Sequence, residues 1–584
     1  MAKQLILINS KVAYCHTQLA RWVVAILLSL AMLVQLAWFR SRASVTFDET
    51  FYLNSATLFK FPEEFHHNLA MHGVAPLPIW ATWVPAVMIH RVEPRDRLWE
   101  GSLDDPPIVF TARMIQSLLV GLPLLWIVHF WLLRRRGLGW ATAGGCLVCF
   151  SPNILAHAGL ATTDALAALT WIVSLAIMSR ALATSAALDY LAVGAAIGTA
   201  ISAKYSGVLL VAIFFLIAIG YECRKHKLLF FGFAWNCCLC GISLCLVAWL
   251  WHGASFVTAD ARGVFANARE TDQPAVKSWV ERFEGKSLPA PIVGLIQQNR
   301  HNQRGQPAFL LDQTNMTGWW YYFPAVIWMK STPSELILGL VLAGWWIFYL
   351  VQTLLKQKKG ENASTLELQI ARVLWSTTLI LFGCFLLLMV RVQIGYRYAL
   401  PLLPVAILLG VDSLANCSSK WPRAIWPLVC VLVGGQCVSS WMTGPHYLSY
   451  FSPMVGGSKN GYRLLADSNV DWGQDLPALS EQLIKYSEKR SVLSYFGTGL
   501  PLAYGVEADL LDEQSRDPLS GYDILAISTN NIRGLKVFEH RVDPKYRFLM
   551  DLVPIARAGD SILIFDIHRD RLRERFQLRT ESKP

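Results

Sequence analysis

The chain has 584 residues, of which 54% are hydrophobic and only 16% are charged. In soluble domains about a quarter of the residues are charged. The charges here lie between long apolar runs, which is the pattern of an integral membrane protein. The net charge of +11 does not indicate nucleic-acid binding, because the basic residues form short clusters beside apolar runs and no basic stripe on a soluble domain.

Apolar runs long enough to cross a membrane, which takes about 20 residues, recur along the chain. The first is too long for the apolar core of a signal peptide, so we expect it to be retained. Cysteines inside such runs are interpreted as small apolar helix residues and not as zinc ligands or disulfides. We predict about eleven transmembrane helices, near residues 22–39, 112–133, 140–156, 165–182, 188–203, 206–221, 228–251, 334–352, 370–390, 399–415 and 424–443.

Basic clusters set the expected orientation. They fall on one side of the predicted topology, and the positive-inside rule makes that side, with the N-terminus, cytoplasmic. Two long loops, 40–111 and 252–333, then lie on the outer face together with the C-terminal stretch. The clusters are Arg134–Arg136, residues 224–227, residues 356–359, and Lys420 with Arg423.

The composition changes after the last apolar run. Val492–Phe496, Tyr522–Ser528 and Ser561–Ile567 are typical of short strands, and Leu476–Lys489 has a helical pattern. The fold class expected is therefore mainly α. It comprises a polytopic transmembrane domain over residues 1–444 and a small C-terminal α/β domain over 445–584 on the outer face.

Acidic residues near predicted outer helix ends are the first candidates for chemistry. Asp48 and Glu49 follow the first span, and Asp164 begins the fourth. Acids next to lipid are costly, so they are expected to face a cavity or water, where a carboxylate could take a proton from a hydroxyl. A solvated pair that caps a loop helix remains the alternative for Asp48 and Glu49, and a favourable helix dipole for Asp164.

Cations on the predicted outer side are the second group. Lys204, Arg391 and Arg397 all run against the positive-inside trend. A phosphate group would account for them, because guanidinium pairs with phosphate oxygens in bidentate geometry. Contact with ordinary lipid headgroups is the alternative for the two arginines.

No sequence motif indicates a resident metal or cofactor. The histidines of the first outer loop match no common metal spacing. The stretch Asp467–Asp475 has acids at a spacing of four, but Trp472 and Ala478 stand where a calcium loop needs Gly and Glu. A structural turn is the plain interpretation of that stretch, and packing on the membrane domain or contact with substrate is the other.

Several stretches together resemble the C-type membrane glycosyltransferases. The likeness is to the bacterial branch of the protein O-mannosyltransferase and aminoarabinose-transferase family, glycosyltransferase family 39. It covers the chain from about residue 40 to 567. The stretches that carry it are Asp48-Glu49, Ser151–Asp164, Ala203–Gly207, Gly318–Pro333 (GWWYYFPAVIWMKSTP), Gly395–Pro404 (GYRYALPLLP) and Tyr450–Asp475.

The resemblance implies transfer of a sugar from a polyprenyl-phosphate donor, as in mannosyltransferases, at the periplasmic side of the bacterial inner membrane. The acceptor would be a hydroxyl on a protein, a lipid or a glycan. The family's base matches Asp48, with Glu49 as support and Asp164 as a second acidic position. Lys204, Arg391 and Arg397 would neutralise the leaving phosphate, and a single displacement implies inversion. No cofactor is evident, and a divalent metal stays open.

Two other classes of protein share some of these features. A transporter or flippase of lipid-linked saccharides also needs membrane acids and cations, but it would place them at mid-membrane on broken helices in paired repeats. A non-catalytic scaffold would keep sugar transfer intact when Asp48 is lost.

Overall fold

Helices dominate the computed structural model, which describes residues 2–93, 106–224, 230–258, 282, 285–355, 363–515, 517–537, 541–569 and 572–581. The predicted basic residues at 225–227 and 356–359 lie outside these ranges. All cysteines whose side chains are described are free.

Among the described helices, seven are long and apolar enough to cross a membrane by themselves. Each coincides with a predicted span, and the second begins earlier than the apolar run suggested, at Pro106. The chain is therefore a multi-pass membrane protein. These helices are Gln18–Arg42, Pro106–Arg136, Thr163–Thr184, Tyr205–Cys223, Phe231–Trp251, Glu367–Leu388 and Pro422–Thr443.

The other predicted spans also form helices, but bent or shorter ones. Leu138–Cys149 and Pro152–Gly159 make a pair bent by 63°, and the break falls at Ser151 because the residue before a proline is disfavoured in a helix. Ala187–Ala203, Pro333–Ile347 and Leu402–Ser418 are shorter apolar helices, as is Ile79–Ile89 in the first outer loop.

Small residues let the apolar helix Ala187–Ala203 pack tightly against the span Phe231–Trp251. A Cβ added at Gly194 would collide with the backbone oxygen of Cys240, and one at Gly198 would lie 2.8 Å from that of Leu244. The two helices therefore approach closely, as small residues allow between membrane helices.

In the residues that the structure describes, the two loops predicted to lie outside contain short helices and strands. The first carries helices Phe47–Thr57 and Pro62–Met71 before Ile79–Ile89. The second carries antiparallel strands and two helices. These are β1 (Phe256–Thr258) with β2 (Ser287–Pro289), helix Ala290–Arg304, β3 (Ala308–Leu310) with β4 (Gln313–Asn315), and helix Tyr322–Lys330.

After the last span the chain forms a mixed sheet with short helices. The three predicted strands are β5 (Ser491–Ser494), β7 (Ile524–Ser528) and β11 (Ile562–Asp566). They lie side by side in a five-stranded sheet of order β10-β11-β7-β5-β6, in which β6 is Asp509–Leu510 and β10 is Ala556–Ala558. The pairs β5–β6 and β5–β7 are parallel, and the pairs with β11 are antiparallel.

The remaining elements of this region are short. The helix predicted at Leu476–Lys489 ends earlier, at Leu483, and continues as a 3₁₀ turn to Tyr486. The others are strands β6 (Asp509–Leu510), β8 (Leu535–Lys536), β9 (Arg541–Val542) and β10 (Ala556–Ala558), with helices Ser458–Leu464, Thr529–Ile532 and Leu572–Glu581.

The buried core runs without interruption from the membrane helices into the C-terminal sheet. One hydrophobic cluster contains Leu36 and Trp171 from the spans together with Trp472, Leu525 and Phe565. The C-terminal region is therefore packed onto the helical part of the chain, and its segments can contribute to a site there. A division of the chain at residue 444 stays a prediction.

Candidate active site

A cavity of about 910 Å³ opens at one end of the membrane helices. Helix Phe47–Thr57 lines it together with helix Ala290–Arg304, the end of span Glu367–Leu388, the loop up to Tyr398, and C-terminal residues such as Trp472. Segments that are far apart in sequence therefore meet around one space.

Asp48 and Arg397 form an ion pair at this cavity. Asp48 Oδ2 accepts from Arg397 Nη1 at 2.6 Å, and the two side chains are 26% and 9% exposed. The other carboxylate oxygen, Asp48 Oδ1, has no hydrogen bond to any residue that the structure describes. One face of the carboxylate is thus held by a cation, and the other is left for a ligand.

Glu49, one residue on, lies apart from the cavity lining. Its carboxylate is fully buried and accepts from Arg113 Nε at 3.0 Å and Nη2 at 2.6 Å, and from the backbone of Thr46 and Ala161. Burial raises the pKa of Glu49, but Arg113 outweighs it and the net pKa is lowered. The structure thus places Glu49 in a structural pair that fixes the first outer loop.

Asp164 and Lys204 form the second ion pair of the site. Asp164 lies in the first turn of helix Thr163–Thr184, is 1% exposed, and accepts from Lys204 Nζ at 2.6 Å. Lys204 lines the cavity, and its Nζ lies 4.7 Å from the ring centroid of Tyr398. Asp164 is not itself in the lining, so it orients the lysine from behind.

Arg397 is held on its other side by Trp472 from the C-terminal region. The guanidinium carbon lies 4.3 Å from the Trp472 ring centroid, which is cation–π geometry. Burial alone would lower the pKa of Arg397, but Asp48 and then Asp164 raise it. The arginine therefore stays charged.

The loop that carries Arg397 is fastened by the segment Asp467–Asn469. Asn469 Oδ1 accepts from Tyr396 N at 3.0 Å, and Ser468 Oγ donates to Ile394 O at 2.5 Å. A Cβ at Gly395 would collide with Ser468 Oγ, so this close approach needs glycine. The stretch whose role the sequence left open therefore packs on the membrane domain and shapes the site.

Asp467 contributes a further carboxylate to the cavity lining. It is 6% exposed and has a φ of +56°, a backbone conformation that few residues other than glycine adopt. Burial raises the pKa of Asp467 to about 6, although Arg397 opposes the shift.

Lys330 holds the segment Asp467–Asn469 in place through a hydrogen bond. It is 2% exposed, and its Nζ donates to Leu448 O at 2.8 Å and Asn469 O at 2.6 Å. Burial lowers the pKa of Lys330 to about 7. The sequence did not indicate Lys330 as a site residue, and for the stretch with Asp467 and Trp472 it left contact with substrate as one of the alternatives.

Solved structures of ArnT from Cupriavidus metallidurans are similar to this chain. The one described as bound to undecaprenyl phosphate has 14% sequence identity and a TM-score of 0.46, and the match covers 94% of this chain and 98% of that one. The apo structure has 13% identity with the same score and coverage. ArnT is an aminoarabinose transferase of the family that the sequence motifs resemble.

Comparison with protein-family models and with curated proteins gives no match. The roles of the site residues therefore rest on the geometry of this chain.

Arg391 is the other predicted residue that does not join the cluster. It is exposed and absent from the cavity lining, and its backbone N–H donates to Asn302 Oδ1 at 2.9 Å. It follows the end of span Glu367–Leu388 and lies near the cavity only through its backbone.

In the part of the chain that the structure describes, no group of three or more His, Cys, Asp or Glu side chains is arranged to hold a metal ion. The charges that face the cavity are those of Asp48, Lys204, Arg397 and Asp467. This set can bind an anion through the two cations and accept a proton at a carboxylate.

Proposed function

We propose that this chain is a membrane glycosyltransferase that moves a sugar from a polyprenyl-phosphate donor to a hydroxyl acceptor. The pair Asp48–Arg397, at 2.6 Å on the wall of the cavity, carries the proposal. It sets a proton acceptor beside a cation at a place where membrane helices and outer loops meet.

Two kinds of lining support a lipid-phosphate donor. Phe382, Phe385 and Met389 provide an apolar face at the end of a membrane helix, which suits an isoprenoid chain. Arg397 and Lys204 lie in the same lining and suit a phosphate group, since guanidinium and ammonium groups bind phosphate oxygens.

The reaction follows from these placements. The acceptor hydroxyl attacks the anomeric carbon while its proton passes to Asp48. The bond between the anomeric carbon and the phosphate oxygen breaks, and polyprenyl phosphate leaves with its electron pair. Arg397 and Lys204 stabilise the charge that develops on the phosphate. One displacement at the anomeric carbon inverts its configuration.

We infer that the chain lies in the bacterial inner membrane with its N-terminus cytoplasmic and its C-terminal region periplasmic. Residues Arg134–Arg136 lie at the helix ends away from the cavity, as the positive-inside rule requires of this orientation. Alkaline phosphatase fused after residue 584 should be active in cells, because this reporter works only in the periplasm. An inactive fusion that is expressed in full would contradict the orientation.

Transfer by purified protein in lipid nanodiscs tests the function. Radiolabelled undecaprenyl-phosphate hexoses serve as donors and cell-envelope extract as the acceptor source. We expect Asp48→Asn to lower the transfer rate by at least about 100-fold, since a general base contributes roughly that much. A wild-type protein that consumes no donor in the presence of acceptor would argue against a glycosyltransferase, and translocation without transfer would favour a flippase.

Asp189→Asn is the matched control. Asp189 pairs with Arg180 at 3.0 Å at the helix ends away from the cavity and is absent from its lining. Its transfer rate should stay within about twofold of wild type, because a surface ion pair contributes little. If Asp48→Asn transfers as fast as this control, Asp48 is not the base.

A further inference from the structure

One wall of the cavity presents three carboxamide side chains. Gln298, Asn299 and Gln306 line the cavity, and we name them the carboxamide wall. None of their side chains has a hydrogen bond to any residue that the structure describes. Gln306 is only 6% exposed, and it lines the cavity. The amide groups of the wall are therefore available to hydrogen-bond a polar ligand in the cavity.

The carboxamide wall is rigidly placed beside the apolar lining. Asn302, between the wall residues, donates from Nδ2 to Met389 O at 2.7 Å and accepts from Arg391 N at 2.9 Å. These bonds fix the end of helix Ala290–Arg304 to the end of span Glu367–Leu388. An isoprenoid chain along that span would bring its head group to the wall.

The same helix also adjoins the phosphate-binding cations. A Cβ at Gly294 would overlap the hydroxyl of Tyr205, so the helix packs directly against the residue that follows Lys204. A group attached to a phosphate at Lys204 is therefore within reach of the carboxamide wall.

The charge of the lining favours a neutral ligand. Lys204 is paired with Asp164, Arg397 is paired with Asp48, and the remaining carboxylate of the lining, Asp467, interacts with Arg397. On helix Ala290–Arg304 the cavity lining includes His301 but no carboxylate, lysine or arginine. Carboxamides both donate and accept hydrogen bonds, which matches sugar hydroxyls, whereas a charged sugar would need an opposite charge at the wall.

We propose that the carboxamide wall binds the glycosyl group of the donor and that this group is an uncharged, polyhydroxylated sugar. The proposal rests on the proposed function, because it takes the phosphate position from it. It names Gln298, Asn299 and Gln306 as the residues that distinguish a glycosylated lipid from a bare one.

Equilibrium binding without acceptor tests the proposal. The probes are undecaprenyl phosphate, undecaprenyl-phosphate mannose or glucose, and an undecaprenyl-phosphate amino sugar. We expect wild type to bind a neutral glycosylated probe about 10-fold more tightly than undecaprenyl phosphate, as one or two net hydrogen bonds provide. The amino-sugar probe should bind no better than the bare lipid.

Gln306→Leu and the double variant Gln298→Leu/Asn299→Leu should bring the neutral probe to within about twofold of the bare lipid. Their affinity for undecaprenyl phosphate itself should be unchanged, which also shows that they are folded. Gln303→Leu is the control, because Gln303 is on the same helix but outside the cavity lining, and it should behave as wild type.

The outcomes separate the two proposals. If wild type does not bind undecaprenyl phosphate, the proposed function fails and the carboxamide wall has no donor to bind. If it binds the lipid but the wall variants keep the preference for the neutral probe, the wall assignment alone is wrong. A preference for the amino-sugar probe would overturn the claim that the sugar is uncharged.

Discussion

Two charged clusters lie at opposite ends of the same membrane helices, and they differ in what surrounds them. At the cavity end, Arg397 pairs with Asp48 at 2.6 Å. At the other end, Asp412 accepts from Arg136 at 2.6 Å and from Arg372 at 2.9 Å. The residue types and the pairing distances are alike.

The surroundings make the difference. Asp412 is 1% exposed, both its oxygens are used, and neighbouring Asn416 accepts further bonds from the same two arginines. Asp48 is 26% exposed and keeps one oxygen toward a cavity of about 910 Å³. A good ion pair at a membrane boundary is thus insufficient to identify a site, and the adjoining space is what distinguishes function from helix packing.

The largest effect should come from removing the cavity cation. Arg397→Gln removes the charge that stabilises the leaving phosphate, so the transfer rate should fall by about 100- to 1000-fold. Arg397→Lys should recover part of the rate, because a point charge replaces the planar one. Rates per folded molecule, with folding checked by thermal unfolding, measure this. An Arg397→Gln variant with a wild-type rate would place the phosphate elsewhere.

In the cluster around Asp412, a substitution should lower the stability of the protein. Asp412→Ala leaves two arginines without their shared partner, and breaking a buried pair costs about 3–5 kcal/mol. We expect a lower unfolding temperature and a transfer rate per folded molecule within about twofold of wild type. If Asp412→Ala lowered the rate as much as Arg397→Gln at unchanged stability, the distinction between the two clusters would be wrong.

Glu49 provides a further test of the comparison between Asp48 and Asp412. It is next to Asp48 in sequence, but its environment resembles that of Asp412. Glu49→Gln loses the charge that pairs with Arg113, and its single amide oxygen can accept from only one of the two backbone donors, Thr46 and Ala161. We expect a stability loss of about 2–4 kcal/mol and a transfer rate within a few-fold of wild type. The two readouts are the unfolding temperature and the rate per folded molecule. A lower transfer rate without a loss of stability would indicate that Glu49 takes part in catalysis.

Much of the fold and part of the candidate site could be predicted from the sequence. Each predicted span coincides with a helix or, near 140–156, with a bent pair of helices, because long apolar runs indicate membrane helices directly. The structure brings Asp48, Asp164, Lys204 and Arg397 together, as their common position at helix ends predicted.

The rest of the site depends on helix orientation and tertiary packing, which the sequence pattern does not contain. Asp48 and Glu49 are consecutive on a helix and point about 100° apart, so only the helix orientation decides which one faces the cavity. Trp472 and Gln306 reach the cavity through tertiary packing, and no local period indicates that. Arg391 satisfied the positive-inside argument but is turned to the exterior.

The smallest expected effect is a pH dependence at Asp467, where burial raises the pKa to about 6. The unfolded chain has a lower value, near 3.9, so the folded protein binds more protons between these two values. Stability that is present below about pH 4 is therefore lost as the pH rises to about 6, with a slope of at most about 1.4 kcal/mol per pH unit.

Asp467→Asn removes this pH dependence, so its unfolding temperature relative to wild type should be higher at pH 8 than at pH 4. Asp509→Asn, at an exposed carboxylate, is the control and should show no such difference. A relative stability of Asp467→Asn that does not change with pH would mean that Asp467 is ionised without cost beside Arg397, and the cavity would then hold its carboxylates as tightly paired as the cluster around Asp412.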